Sequence, residues 1–243
     1  HGILIHNSTA ISGIRISGNS ITGNGSLGID LANNGVSAND SGDGDSGANG
    51  LQNYPVLSAT TLTTFTNITG TLNSNASTTF RIEFFESATA DSSGFGEGQN
   101  FIGAINVTTN GSGNASINTA LPAIVPTGHR ICATAINTAG STSEFSSAVT
   151  VTSTDTDGDG MPDAFETTYG LSTSIADANV DTDGDGMTNA QEFRARTDPS
   201  NSTSLLRIGA PAFAGSDAIV SLPSVLGVTY RIDYADDLVP ANT

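Results

Sequence analysis

The spacing of apolar residues changes several times along the chain, and each change predicts a different kind of element. Over residues 1 to 36 a short phrase recurs as Gly2-Ile3-Leu4-Ile5, Gly13-Ile14-Arg15-Ile16 and Gly28-Ile29-Asp30-Leu31. The phrases lie 11 and 15 residues apart, an overall repeat of 26, with turns at Gly18-Asn19 and Gly23-Asn24-Gly25. Gly and Asn tolerate left-handed backbone, so short strands broken at such corners predict coils of parallel strands. A coil buries its apolar side only against a neighbour, and the start of the chain is expected to present an unfinished edge.

Residues 37 to 53 are too polar for a core. From Tyr54 to Val151 the period becomes two. Phe80, Ile82 and Phe84 alternate with Arg81 and Glu83, and Ile105 and Val107 flank Asn106. Arg130 to Ile136 reads as another strand, with either Ile131, Ala133 and Ala135 or Cys132, Thr134 and Ile136 facing inward. Six or seven such runs, with turns at Asn110-Gly111, Pro126-Thr127-Gly128 and Ala139-Gly140, predict an antiparallel sandwich. Glu83 and Glu86 lie three apart on one strand and face opposite sides, which suits a charged strand surface better than the acid pair of a glycosidase.

The pattern is helical only briefly, over Ala164 to Tyr169 and Ala190 to Arg196. Pro162 suits a first turn, Phe165 and Tyr169 fall four apart, Gly170 is a stop, and Phe193 begins the matching stretch. Val149 to Ser153, ahead of the first helix, is β-branched and small and predicts no entering helix. Strands are expected over Leu205 to Ile208, Ala218 to Leu222 and Thr229 to Tyr234.

Ahead of each helix stands a loop of twelve residues, Asp155 to Glu166 and Asp181 to Glu192, in near-identical form. A hard cation needs several oxygens, supplied by carboxylates at alternate positions, a backbone carbonyl, a glycine at the sharp turn and a closing bidentate glutamate. In the first loop these are Asp155, Asp157, Asp159, Gly160, Met161, Asp163 and Glu166. Asp181, Asp183, Asp185, Gly186, Met187, Asn189 and Glu192 repeat them. Asp and Gly are common in turns, which explains one Asp-Gly pair but not two complete matches 26 residues apart. Two Ca2+ sites are expected. A third candidate, Asp43, Asp45 and Asn49, has the alternate spacing without a closing Glu. It reads equally as an ion site or as an ordinary Asp/Gly loop.

Composition sharpens the picture. The formal charge is −17, and the chain has seven Arg and no Lys. Such a surface repels phosphate backbones and anionic lipid, so nucleic acid and membrane-surface partners are not expected. Nine of the 24 acids lie in the two loops, and two divalent ions would bring −17 to −13. No apolar run approaches the roughly 20 residues of a membrane span. The single Cys132 has no disulfide partner and reads as a strand packing residue. His1, His6 and His129 form no convergent set, no G-x-S-x-G, P-loop or zinc spacing occurs, and no enzymatic activity is expected.

Three stretches resemble known families. The opening phrases resemble the right-handed parallel β-helix repeats of bacterial secreted proteins, over about one and a half coils. Leu51-Gln52-Asn53-Tyr54-Pro55-Val56-Leu57, Gly70-Thr71-Leu72-Asn73-Ser74, Phe84-Phe85, Gly96-Glu97-Gly98-Gln99 and Thr142-Ser143-Glu144-Phe145-Ser146 resemble the immunoglobulin-like domain that follows such repeats in bacterial surface proteins. The paired loops, ending near Thr197-Asp198-Pro199, resemble thrombospondin type 3-like calcium repeats, with dockerins as the other family of paired loop-helix repeats. The resemblances imply a mainly β chain. A β-helix end with its acidic loop fills 1–53, an immunoglobulin-like β-sandwich 54–152, a calcium module 153–203 and a small C-terminal β segment 204–243. They imply a calcium-binding structural or adhesive segment of an extracellular, cell-surface bacterial protein. Its expected partners are copies of itself, as in a filament, or other surface proteins and glycans. The alternatives are an accessory region of a polysaccharide-degrading enzyme and a dockerin-like docking module.

Overall fold

In the coil at the start of the chain, β1 (Ile3–Ile5) and β2 (Ile29–Leu31) pair in parallel, Ile3 opposite Ile29 and Ile5 opposite Leu31. The 26-residue repeat is therefore one turn of chain that returns to lie beside itself. The computed structural model describes residues 1–6, 11–62, 65–89, 91–215 and 217–224. The middle phrase forms no strand, contrary to its pattern. Its hydrogen bonds go to a turn on another part of the molecule: Thr142 N–H donates to Ile14 C=O, and Ile16 N–H donates to Thr142 Oγ1.

Seven strands follow: β3 (Val56–Leu62), β4 (Thr66–Asn73), β5 (Thr79–Ser87), β6 (Asn100–Thr108), β7 (Asn114–Leu121), β8 (Arg130–Ile136) and β9 (Val149–Thr152). Among the described residues they hydrogen-bond in the order β6-β5-β8-β9-β3-β4-β7. The short β9 joins the two halves, pairing antiparallel with β8 at Val149 and parallel with β3 at Val151. Leu57, Ile68, Leu72 and Ile117 from one half share a single buried cluster with Phe80, Ile82, Phe84 and Ile131 from the other. The ladder therefore folds over, and its two halves bury their apolar faces against each other.

Both faces of β8 are buried, which is why its alternation is ambiguous in the sequence. Ile131, Ala133 and Ala135 enter the core between the halves. Cys132 points the other way, into a second cluster with Phe85, Phe145, Ile5, Ile16, Ile29 and Leu31. This second core is the contact between the opening coil and the outer face of β5 and β8. Burial pushes the Cys132 thiol up to about 12, which holds it protonated as a packing group.

The same contact corrects the reading of Glu83 as a surface charge, for its exposure is 0%. Its Oε1 accepts from Ser17 Oγ at 2.7 Å and Arg81 Nε at 2.8 Å, and its Oε2 from Gly18 N–H at 2.8 Å. A period of two shows which face a strand residue takes, not what covers that face. Glu86 lies on the opposite face, beside His129 Nδ1 at 2.9 Å.

The phrases around residues 96–99 and 142–146 also build this junction. Glu97 accepts from the N–H groups of Gly23 and Asn24, Gly98 C=O accepts from Ile21 N–H, and Phe145 meets Phe85 edge-on at 5.3 Å. A Cβ on Gly96 would stand 2.1 Å from Cys132 Sγ, so only glycine fits there.

The C-terminal part differs from its pattern. Leu205 to Ile208 forms no strand. The strand expected over Ala218 to Leu222 is met in part by β11 (Asp217–Ile219), which pairs antiparallel with β10 (Ala212–Ala214) across a turn that Gly215 opens with φ 65°. The expected strand Thr229 to Tyr234 lies outside the described residues.

Candidate calcium centre

Each twelve-residue loop is shaped by its own carboxylates before any ion is considered. Asp155 Oδ1 accepts from Gly158 N–H at 2.8 Å and Oδ2 from Gly160 N–H at 3.1 Å. Asp181 makes the same pair of bonds to Gly184 and Gly186 at 2.8 and 2.9 Å. Gly160 and Gly186 turn with φ of 94° and 98°, which a side chain would strain. Asp157 and Asp159 each give one oxygen to a backbone N–H two residues on, as do Asp183 and Asp185. This leaves the other carboxylate oxygen of Asp157, Asp183 and Asp185 without a partner, whereas Asp159 Oδ2 accepts from the N–H groups of Asp177 and Ala178.

Helix α1 (Asp163–Tyr169) carries Glu166, and α2 (Asn189–Ala195) carries Glu192. Thr188 and Gln191 close a reciprocal cap on α2, while Gly170 and Arg196, both left-handed, end the two helices. One helical turn thus brings the closing glutamate back over its loop. Glu166 and Glu192 are each 0% exposed.

Buried oxygens without a hydrogen-bond partner gather here. They are Asp157 Oδ2 and both Glu166 oxygens in the first loop, and Asp183 Oδ2, Asp185 Oδ2, Asn189 Oδ1 and both Glu192 oxygens in the second. Buried carboxylates are ordinarily paired or coordinate a metal. Ligand oxygens of Asp155, Asp157 and Asp159 lie within 4.8 Å of one another, as do those of Asp181, Asp183 and Asp185. Burial, together with the crowding of Asp157 and Asp159, raises the Glu166 carboxyl to about 7. Burial and Asp183 do the same to Glu192. Crowded, dry, acceptor-only groups of this kind fit a hard divalent cation and its preference for six to eight oxygens.

The expected ligands do not all behave alike. Asn189 at position nine directs an unpartnered oxygen inward, whereas Asp163 at the same position bonds Thr156 N–H and Oγ1 at 2.8 and 2.7 Å. Met161 holds position seven with its side chain in the sandwich core, and Met187 holds the matching position. Asp177 escaped the sequence reading because it lies outside both twelve-residue spans. Its carboxylate lies within 4.8 Å of Asp159 and Glu166, and the only signal for it was that it is the sole acid between the loops.

The third candidate is corrected in part. Asp43 and Asp45 gather with Asp40, while the Asn49 amide is engaged elsewhere. Its Oδ1 accepts from Ile14 N–H at 2.9 Å, and its Nδ2 donates to the carbonyls of Ile14 and Thr142. Alternate spacing put Asn49 near the acids in sequence, but a left-handed turn at φ 51° aims it at the opening coil. Asp43 already accepts from Gln52 Nε2, Ser74 Oγ and Asn53 N–H, so it ties the acidic loop to the sandwich.

The calcium segment is not a free connector. Met161, Phe165, Ala178 and Phe193 belong to the same buried cluster as the sandwich strands, and the Phe165 and Phe193 rings stand 4.8 Å apart. The glutamate and the phenylalanine one residue away on each helix therefore point to loop and core respectively.

The family model of the bacterial TSP3 repeat matches residues 155–170 and 181–202. No curated protein matches the chain. TSP3 repeats are calcium-binding repeats of bacterial proteins, and the Asp clusters of the matched segments are of a kind that could hold a metal ion.

Proposed function

We propose that the chain is a calcium-stapled structural module of an extracellular bacterial protein, without catalytic chemistry of its own. The carrying observation is that two cages of unpartnered oxygens are closed by helices whose apolar sides lie in the sandwich core. Calcium in either loop then holds a helix onto the sheet. An immunoglobulin-like sandwich is supported by the strand order, with three strands in one half, three in the other and a last strand crossing between them. A β-helix end is supported by the parallel pairing at a 26-residue offset. Secretion is supported by the TSP3 match, and among the described residues no helix is long and apolar enough to cross a membrane. A dockerin-like role is disfavoured, because Phe165 and Phe193 are buried against the chain's own sandwich.

Calorimetric titration of chelator-treated protein tests this reading: two calcium ions per chain are expected, and none in the double variant Asp157→Ala, Asp183→Ala. A wild-type chain that takes up no calcium overturns it. Self-association, end to end in a filament, is the second reading. It is favoured by the exposed apolar side chains Phe213 and Ile219 on the β10–β11 hairpin and Val220 just after it, of which Phe213 is 74% exposed. Light scattering in millimolar calcium separates the two, a monodisperse monomer excluding the second.

A further inference from the structure

We propose that Asp177, outside both loops, is a ligand of the first calcium site and positions Asn189 for the second, so that filling one site strengthens the other. This rests on the calcium reading above and extends it to a residue outside the matched repeat segments.

On one side, Asp159 Oδ2 accepts from the N–H groups of Asp177 and Ala178 at 3.0 and 2.9 Å, which pins the linker to the ligand at position five. The Asp177 carboxylate then lies within 4.8 Å of ligand oxygens of Asp159 and Glu166. Glu166 is fully buried with both oxygens unpartnered, while Asp177 Oδ2 is steadied by Ser172 N–H at 3.2 Å, so the group faces a place where a cation would satisfy Glu166 and share the remaining lone pairs of Asp159 and Asp177. On the other side, Asn189 Nδ2 donates to Asp177 C=O at 3.0 Å and lies 3.4 Å from its Oδ1. With the amide nitrogen held in this way, Asn189 Oδ1 is turned into the second loop, where it is buried and unpartnered.

The arrangement is not duplicated. The residue 26 positions after Asp177 is Thr203, and Asp185 Oδ2 lacks the two backbone donors that Asp159 Oδ2 has. Near-identical loops thus become unequal sites through one residue between them. An ion that orders Asp177 from the first loop also orders the Asn189 oxygen of the second, and by linkage the effect is reciprocal.

The test uses the full chain. Calcium calorimetry of Asp177→Ala is expected to show first-site affinity reduced about tenfold or more, and a smaller loss at the second. Glu166→Gln, which disables the first site alone, is expected to weaken the second about fivefold. A further readout separates ligation from mere support: with Glu192→Gln disabling the second loop, europium bound in the first should gain a coordinated water when Asp177 becomes Ala. Luminescence decay in H2O and D2O counts that water. If Asp177→Ala fails to fold, Asp177→Ser takes its place. Wild-type affinities in the Asp177 variant, or lost affinity with an unchanged water count, overturn the ligand role. An unchanged second site in Glu166→Gln overturns the coupling. A wild-type chain that binds no calcium is a different result, since it removes the underlying calcium reading as well.

Discussion

Glu144 shows how a single carboxyl can be decisive where two parts of a fold meet. It is 2% exposed, and its oxygens accept from Leu31 N–H and Ser37 N–H, both at 2.8 Å. Burial raises its carboxyl to about 7, the nearby Asp30 acting in the same direction. The groups around it are Asp30, which lies 3.3 Å from His1 Nδ1, and Tyr54, whose hydroxyl burial and Glu144 together raise. A carboxyl whose folded pKa is raised contributes stability that is full below about 4.5 and lost as pH rises through about 7. The contribution is on the order of 1–3 kcal/mol. The expected result is a carbon-13 titration midpoint for Glu144 near 7. In calcium, the urea midpoint of the wild type should fall between pH 5 and pH 8 by more than that of Glu144→Gln. Sequence offered Glu144 only as part of a family phrase, because its donors stand 113 and 107 residues away.

At the scale of elements, the two short helices are too brief to persist alone, since isolated helices need about 12–15 residues even in favourable sequences. Seven residues suffice here because the Phe165 and Phe193 rings dock in the sandwich core. Phe193→Ala is expected to destabilise the calcium-loaded chain by about 3–5 kcal/mol. It should also weaken calcium binding in the second loop, because Glu192 loses the helix that presents it. Urea unfolding and calcium titration of the same variant check both. The opening coil offers a parallel case: Gly96→Ala places a methyl group against Cys132 and should loosen the coil from β5 and β8. Hydrogen exchange is then expected to speed up over residues 1–36 while the amides of α1 and α2 keep their protection in calcium. The helices were legible as elements because apolar spacing and stop residues are local. Their docking was not, because three apolar positions on each short helix do not say which surface they meet.

For the whole molecule, one core joins sheet and calcium module, and a second joins sheet and coil. Removing calcium should therefore lower the stability of the sandwich and not only of the loops. With a dissociation constant of ~0.1 mM and ~1 mM calcium, each site contributes about 1.4 kcal/mol. Scanning calorimetry with and without chelator is expected to show the sandwich transition itself moving down. A sandwich transition that stays in place while only the loop signals melt would separate the module from the core.

The residue chemistry of this protein sets what can be read without a fold. Ligands at alternate positions around a left-handed glycine define a loop by local geometry, so both calcium loops stand out in the chain, as do strand alternation and the 26-residue return of the coil. Tertiary structure alone decided that both faces of β8 are buried, that Glu83 and Glu144 are buried acceptors, that Asn49 serves the coil and that Asp177 joins the first loop. Each of those depends on backbone brought together from distant parts of the chain. A period of two or of 3.6 records on which side a residue lies, whereas its hydrogen-bond donors and its solvent exposure belong to whatever the fold lays against that side.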